Sequence, residues 1–223
     1  MSVTLTLPGL DAVRDLETML GRAARVEDGA VRLIASGGVL AVYVAVFFPV
    51  GLLDESPTIL GLRTFRVAER GGADLVVPIA SLLARLEGAR ATAAEGPVSL
   101  QPPHPVNTVT WAAISPPRGG WVSLGSLDAA LLRAVAQAGV EQIADAVPDA
   151  VGGPLVHRAR SSVWSRPLRE AENVPAGAAF AASSLGFLGD DEPVALYGNG
   201  PWTRLTTRRG HVLVKHRGWT MAR

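Results

Sequence analysis

Residues 31–48 read VRLIASGGVLAVYVAVFF. Two apolar runs flank Ser36-Gly37-Gly38, and glycine enters left-handed backbone without the steric penalty a Cβ imposes, so the triplet is a turn signal. The second run is dense in Val, Tyr and Phe, which suit a pleated, packed surface. Pro49 and Gly51 then stop it. The spacing predicts a hairpin, with strands at 31–35 and 39–48 and the second strand buried. The surrounding window, 33–53, carries no charge over 21 positions, a length that also suits a membrane-spanning helix. The internal turn and the β-branched content favour two buried strands instead. Residues 2–7, SVTLTL, alternate as a strand, and no basic leader precedes an apolar stretch at the N-terminus. A cytoplasmic protein with no membrane partner is the expectation.

Outward from the hairpin, Pro8-Gly9 closes the first strand. Residues 10–23 place Val13, Leu16 and Leu20 at helical spacing, with Met19 beside them and Asp11 early, where a helix favours negative charge. LRTFRVA at 62–68 alternates as a strand, Arg70-Gly71-Gly72 turns, and 75–87 read as a strand entering a helix with Pro78 in its first turn. Residues 88–105, GARATAAEGPVSLQPPHP, have the composition of a linker or long loop. They suggest two similar-sized subdomains, 1–95 and 96–223. The first holds nine basic and eleven acidic side chains, the second twelve and nine.

The second half opens with an expected strand at 106–114 and a loop at 115–125 that holds Trp121. Ser126 is the expected N-cap of LDAALLRAVAQAG, which Gly139 would end through a left-handed C-cap. A short helix at 140–147 would stop at Pro148, and 149–173 show no clear element. Pro175 leads AGAAFAASSLGFL, a small-residue helix suited to close packing at 176–188. Strands follow at 194–197 and 203–207 around YGNGPW, with a last strand at 211–216 after Arg208-Arg209-Gly210. The fold class is α+β: antiparallel hairpins with helices packed against them.

Composition excludes several kinds of chemistry. The chain has 223 residues, 48% of them apolar and 18% charged, and a formal net charge of +1. Without cysteine it has no disulfide framework, thiolate metal site or cysteine nucleophile. It has 20 arginines and one lysine, a bias that GC-rich codons also produce, so only arginine position carries weight. Neither a P-loop, a dinucleotide fingerprint nor a GxSxG elbow occurs. His104, His157, His211 and His216 form no HxH or HExxH pattern, and His211 and His216, five apart in a strand, fall on opposite faces. Asp190-Asp191-Glu192 reads as a solvated loop, and Asp54-Glu55 before Ser56-Pro57 as a turn. No cofactor or metal is expected.

Two aromatic turns and one basic end stand out. Pro116-Pro117-Arg118-Gly119-Gly120-Trp121 restricts the chain and then frees it; Tyr197-Gly198-Asn199-Gly200-Pro201-Trp202 sets an aromatic on each side of a hairpin signal. Residues 204–223 carry Arg204, Arg208, Arg209, Lys215, Arg217 and Arg223 and no acid, a charge of +6 in 20 residues. Such a patch attracts phosphates. The candidate binding surface is therefore Arg118, Trp121, Tyr197, Trp202, Arg204, Arg208, Arg209, Lys215 and Arg217. The functional expectation is a non-enzymatic interaction or regulatory protein that uses these turns and the basic hairpin, with a protein partner or self-association. One alternative is a nucleic-acid binder: in outline, helices at 127–138, 140–147 and 176–188 ahead of a basic hairpin resemble a winged helix, although the first two hold only Arg133. Another is an enzyme with a non-local active site drawn from Arg118, His157, Arg158 and Asp190.

Overall fold

The computed structural model describes residues 3–27, 29–51, 53–107, 109–147, 153–190 and 192–216. Pro148, Asp191, Arg217 and Arg223, which the sequence reading used, lie outside the described residues. The chain forms two compact units, Met1–Val46 with Leu62–Ser115, and Phe47–Gly61 with Pro116–Arg223. The fold is α+β, with antiparallel strands and five helices among the described residues.

The first unit contains β1 (Leu5–Leu7), α1 (Leu10–Val26), β2 (Ala30–Ser36), β3 (Val39–Phe47), the later part of β4 (Thr58–Arg66), β5 (Ala73–Pro78), α2 (Ile79–Thr92) and β6 (Val98–Leu100). The hairpin read from 31–48 is present: Ser36 faces Val39, and Gly37 and Gly38 take φ values of 61° and 84°. Only glycine adopts two successive left-handed residues cheaply, so this turn fixes the β2–β3 register. Alternation then buries Val31, Leu33 and Ala35. Strands run in the order β5-β2-β3-β4, and β1 pairs with β6. Val13, Leu16, Met19, Leu20 and Ala23 form the buried face of α1, which packs on α2. Residues 106–114, expected as a strand, instead hold a 3-10 turn at Thr110–Ala113 that buries Trp111. Its position is fixed by Arg32, which forks onto Asp74 at 2.8 and 2.7 Å and donates to the Ala112 carbonyl at 2.7 Å. Non-local bonding of this kind overrides local β-propensity.

The second unit contains the start of β4, β7 (Val122–Leu127), α3 (Ala129–Ala146), α4 (Gly153–Trp164), α5 (Ala176–Ser184), β8 (Val194–Asn199), β9 (Trp202–Thr206) and β10 (His211–Lys215). Its strands run β4-β10-β9-β8-β7. Helix α3 packs on α4 and α5, and α5 on β10. The small residues of α5 permit close approach: a Cβ on Gly177 would stand 2.6 Å from Ile59 Cδ1 and 3.0 Å from Trp164 Cβ. Trp164 stacks on Phe180 at 4.5 Å.

Four local expectations are corrected here. Helix α3 passes unbroken through Gly139 and joins the segments expected as two helices, which also removes the winged-helix outline. Its N-cap is Asp128, whose carboxylate accepts the Ala130 N–H at 2.8 Å, not Ser126, which lies within β7. Residues 122–125, expected as the end of a loop, and Leu127, expected as the first residue of the helix, instead belong to a strand that pairs with β8. Residues 153–164, left without an element, form α4, whose inner side chains Val163 and Trp164 are buried.

Candidate functional site

Pairing in the second unit gathers three of the candidate surface residues. On β8 and β9, Tyr197 stands opposite Arg204, and Arg204 stands opposite Leu213 of β10. Trp121 directly precedes β7, which pairs Ser123 with Tyr197. Residues at even offsets share one face of a sheet, so Trp121, Tyr197 and Arg204 meet on the same face. The Arg204 guanidinium lies 4.5 Å from the Trp121 ring centroid and 4.6 Å from that of Tyr197, a cation held between two π faces. The loop carrying Trp121 is tied down twice. Its indole N–H donates to the Pro117 carbonyl at 3.2 Å, and the Asn199 amide donates to the Gly119 carbonyl at 2.8 Å. Gly120 turns the chain there with φ 73°. Burial lowers the Arg204 pKa, partly offset by Tyr197, and its Nε is buried with no hydrogen-bond acceptor.

The other candidates divide. Trp202 shares the Arg204 face opposite Lys215 but is buried, so it packs. Turn residues Gly200 and Pro201, not Asn199-Gly200, link β8 to β9, since Asn199 pairs with Trp202. Arg118 is exposed in the tied loop. Arg208 and Arg209 sit at the β9–β10 tip, as read from the sequence. There Arg208 pairs with Glu192 at 3.3 Å, and its backbone N–H donates to the same oxygen at 2.9 Å. Arg209 reaches the Leu188 carbonyl at 3.4 Å. The tip charge is thus partly neutralised by an acid from the preceding loop. His211 bonds Thr206 at 3.1 Å and His216 bonds Thr203 at 3.0 Å, on opposite faces as the spacing requires.

The residues weighed for catalysis do not assemble as a set. His157 contributes Nε2 to a 2.7 Å contact with Asp54 Oδ2 and stacks on Phe47. Asp54 also accepts the Val50 N–H and the Ser56 N–H, each at 3.0 Å. Burial acts to raise the Asp54 pKa, but hydrogen bonds from Ser56, Val50 and His157 outweigh it and hold the carboxyl well below the usual range. Val50, Leu53, Asp54, His157, Arg158 and Ser161 line a cavity of about 750 Å³; Arg118 and Asp190 are not among its walls. The Asp54 contacts chiefly staple the 50–56 loop to α4. The sequence reads Asp54-Glu55 only as a turn; the His157 contact is not legible there because that partner lies 103 residues away.

The fold has known counterparts. It is similar to Caulobacter crescentus pol III beta, with a TM-score of 0.53 at 13% identity over 99% of this chain and 66% of that one. It is also similar to the DNA polymerase III subunit beta of Borrelia burgdorferi in complex with a natural product, with a TM-score of 0.56 at 5% identity over 97% and 65%. The Bacillus subtilis DNA polymerase sliding clamp gives a TM-score of 0.54 at 9% identity over 100% and 67%. The chain thus spans about two-thirds of the length of these structures. At such identities the likeness is one of fold. No curated protein matches the chain in sequence. Residues 116–219 match the family described as Domain of unknown function DUF8185. Residues 1–112, half of the chain, match that described as Domain of unknown function DUF8010, and the chain therefore belongs to the DUF8010 family.

Proposed function

We propose that the chain is a non-enzymatic interaction scaffold that self-associates through the open edge of its second unit, strand β7. One observation carries this reading. β7, VSLGSL, ends the strand order, is uncharged, and exposes Val122 and Leu124 by 66% and 50%. Edge strands offer unpaired backbone groups to another chain, and proteins that avoid association protect them with charge, proline or cover. The edge strand of the first unit is protected in this way: β5 ends in Pro78, and the Val106 N–H caps the Val76 carbonyl at 2.8 Å. β7 carries only a bulge at Leu124. The likeness in fold to DNA polymerase sliding clamps is in keeping with a scaffold role. Analytical ultracentrifugation tests the proposal. The wild type is expected to form dimers at micromolar concentration and Leu124→Lys to be monomeric; a wild type that stays monomeric at about 100 μM overturns the reading.

Nucleic-acid contact through the β9–β10 hairpin is a second reading, supported by the exposure of Arg208 and Arg209 at its tip. It expects affinity for duplex or single-stranded DNA that falls steeply with salt, and uniform weakening in Arg208→Ala/Arg209→Ala. Absence of binding at low salt in fluorescence anisotropy ends it.

A further inference from the structure

We propose that the face of β8, β9 and β10 that carries Arg204 binds single-stranded nucleic acid, with bases stacked on Trp121 and Tyr197 and phosphates held by Arg204 and Lys215. The inference rests on the nucleic-acid reading of the β9–β10 hairpin. It moves the contact from the hairpin tip to the sheet and fixes the form of the ligand as a single strand.

Strand register collects these side chains. Arg204 stands opposite Leu213, and His211 and Lys215 lie two residues to either side of Leu213 on the same face. Arg204 and Lys215 are thus diagonal neighbours across β9 and β10, about 7–8 Å apart at the backbone. On the other side of Leu213, burial and the charge of Arg204 both lower the His211 pKa, so the field of the guanidinium reaches that residue as well. Trp202 and Leu213 are buried and form an apolar floor. Trp121, Tyr197, Arg204 and Lys215 each keep part of their surface open.

The charge of this face has one sign. Residues 116–127 and 194–216, which supply its strands and loops, contain no acid and carry Arg118, Arg204, Arg208, Arg209 and Lys215. Glu192, which precedes β8, is engaged at the tip by Arg208. A surface of this kind attracts a polyanion and releases its counterions. The aromatic pair decides which polyanion. Unpaired bases stack on aromatic rings, whereas a duplex keeps its bases stacked on one another and offers only its backbone. Both rings are held before any ligand arrives. The Trp121 indole N–H donates to the Pro117 carbonyl, Asn199 ties the same loop at Gly119, and the Arg204 guanidinium lies 4.5 and 4.6 Å from the two centroids. Rings fixed in advance lose little conformational freedom on stacking. An acidic peptide meets the cations but leaves both rings unused.

Fluorescence anisotropy of the full chain provides the test, with oligo(dT) about 12 nucleotides long, a duplex and an abasic strand of the same length, and poly-glutamate. Oligo(dT) is expected to bind about tenfold more tightly than each of the others at the same salt concentration. Trp121→Leu and Tyr197→Leu are each expected to weaken oligo(dT) about tenfold and to leave the abasic strand unaffected. Lys215→Gln is expected to lower the log–log salt slope by about 0.7. In the wild type, the indole N–H resonance of Trp121 is expected to shift with oligo(dT) and not with the abasic strand, a readout that needs no variant. Equal affinity for oligo(dT) and the abasic strand, or a Trp121 resonance unmoved at saturation, overturns the inference. If Arg208→Ala/Arg209→Ala still abolishes that binding, the hairpin-tip reading survives. Tighter binding of the duplex or of poly-glutamate overturns the inference in favour of that partner. No binding of oligo(dT) or duplex at low salt overturns both.

Discussion

Gly139 lies directly beneath the indole of Trp164: a Cβ built on it would meet the ring at Cζ3 and stand 2.6 Å from Cη2. Glycine is required at this point of α3 by the close approach of α4, and the helix continues through it with no left-handed residue. Gly139→Ala is therefore expected to destabilise the protein by about 1–3 kcal/mol through overpacking, although alanine favours an open helix by about 1 kcal/mol. Combining it with Trp164→Leu removes the clash. Urea unfolding of the two single variants and the double variant should show strong non-additivity.

Capping of α3 distinguishes two neighbouring positions. Asp128→Ala should cost about 1 kcal/mol, because the Ala130 N–H loses its acceptor, whereas Asp128→Asn should cost far less. Ser126→Ala is expected within about 0.5 kcal/mol of wild type. Thermal melts of the three variants provide the comparison.

Acid should loosen the 50–56 loop. The hydrogen bonds to Asp54 hold its folded pKa below the unfolded value. The stability it confers is fully present above the ordinary carboxylate range, about 3.9, and is lost as pH falls further. Unfolding midpoints in urea between pH 3 and 7 should therefore drop more steeply on the acid side for wild type than for Asp54→Asn. His157→Ala should lower the midpoint at pH 7 by removing the contact that ties the loop to α4.

A second pH effect belongs to the sheet of the same unit. Burial, with a contribution from the charge of Arg204, lowers the His211 pKa; burial lowers that of His216 against a backbone bond to Asn173. The folded state disfavours both protonated rings. Stability is thus complete above the unfolded histidine value of about 6.5 and declines as pH falls below it. Replacement of both by Gln should flatten the stability profile between pH 6.5 and 5, measured by chemical denaturation.

The elements with local causes are legible in the residues alone. Ser36-Gly37-Gly38 needs left-handed backbone, and the flanking alternation makes β2 and β3; Val13, Leu16 and Leu20 give α1 its buried face; Arg208-Arg209-Gly210 turns β9 into β10. The candidate surface was legible as residue types, since Trp121, Tyr197 and Arg204 were all singled out by composition and turn chemistry. What those residues contact depends on packing and strand register. Residues 122–127 have little strand propensity, with Gly125 and two serines, and become β7 because β8 lies beside them. Gly139 reads locally as a stop, and only the Trp164 ring makes it a contact. Asp54 finds His157 at a separation of 103 residues, and Arg204 enters between two rings because strand register sets it opposite Tyr197. Local preferences amount to about 1 kcal/mol per residue. Packing and desolvation terms are larger and connect residues whose separation along the chain no sequence window spans.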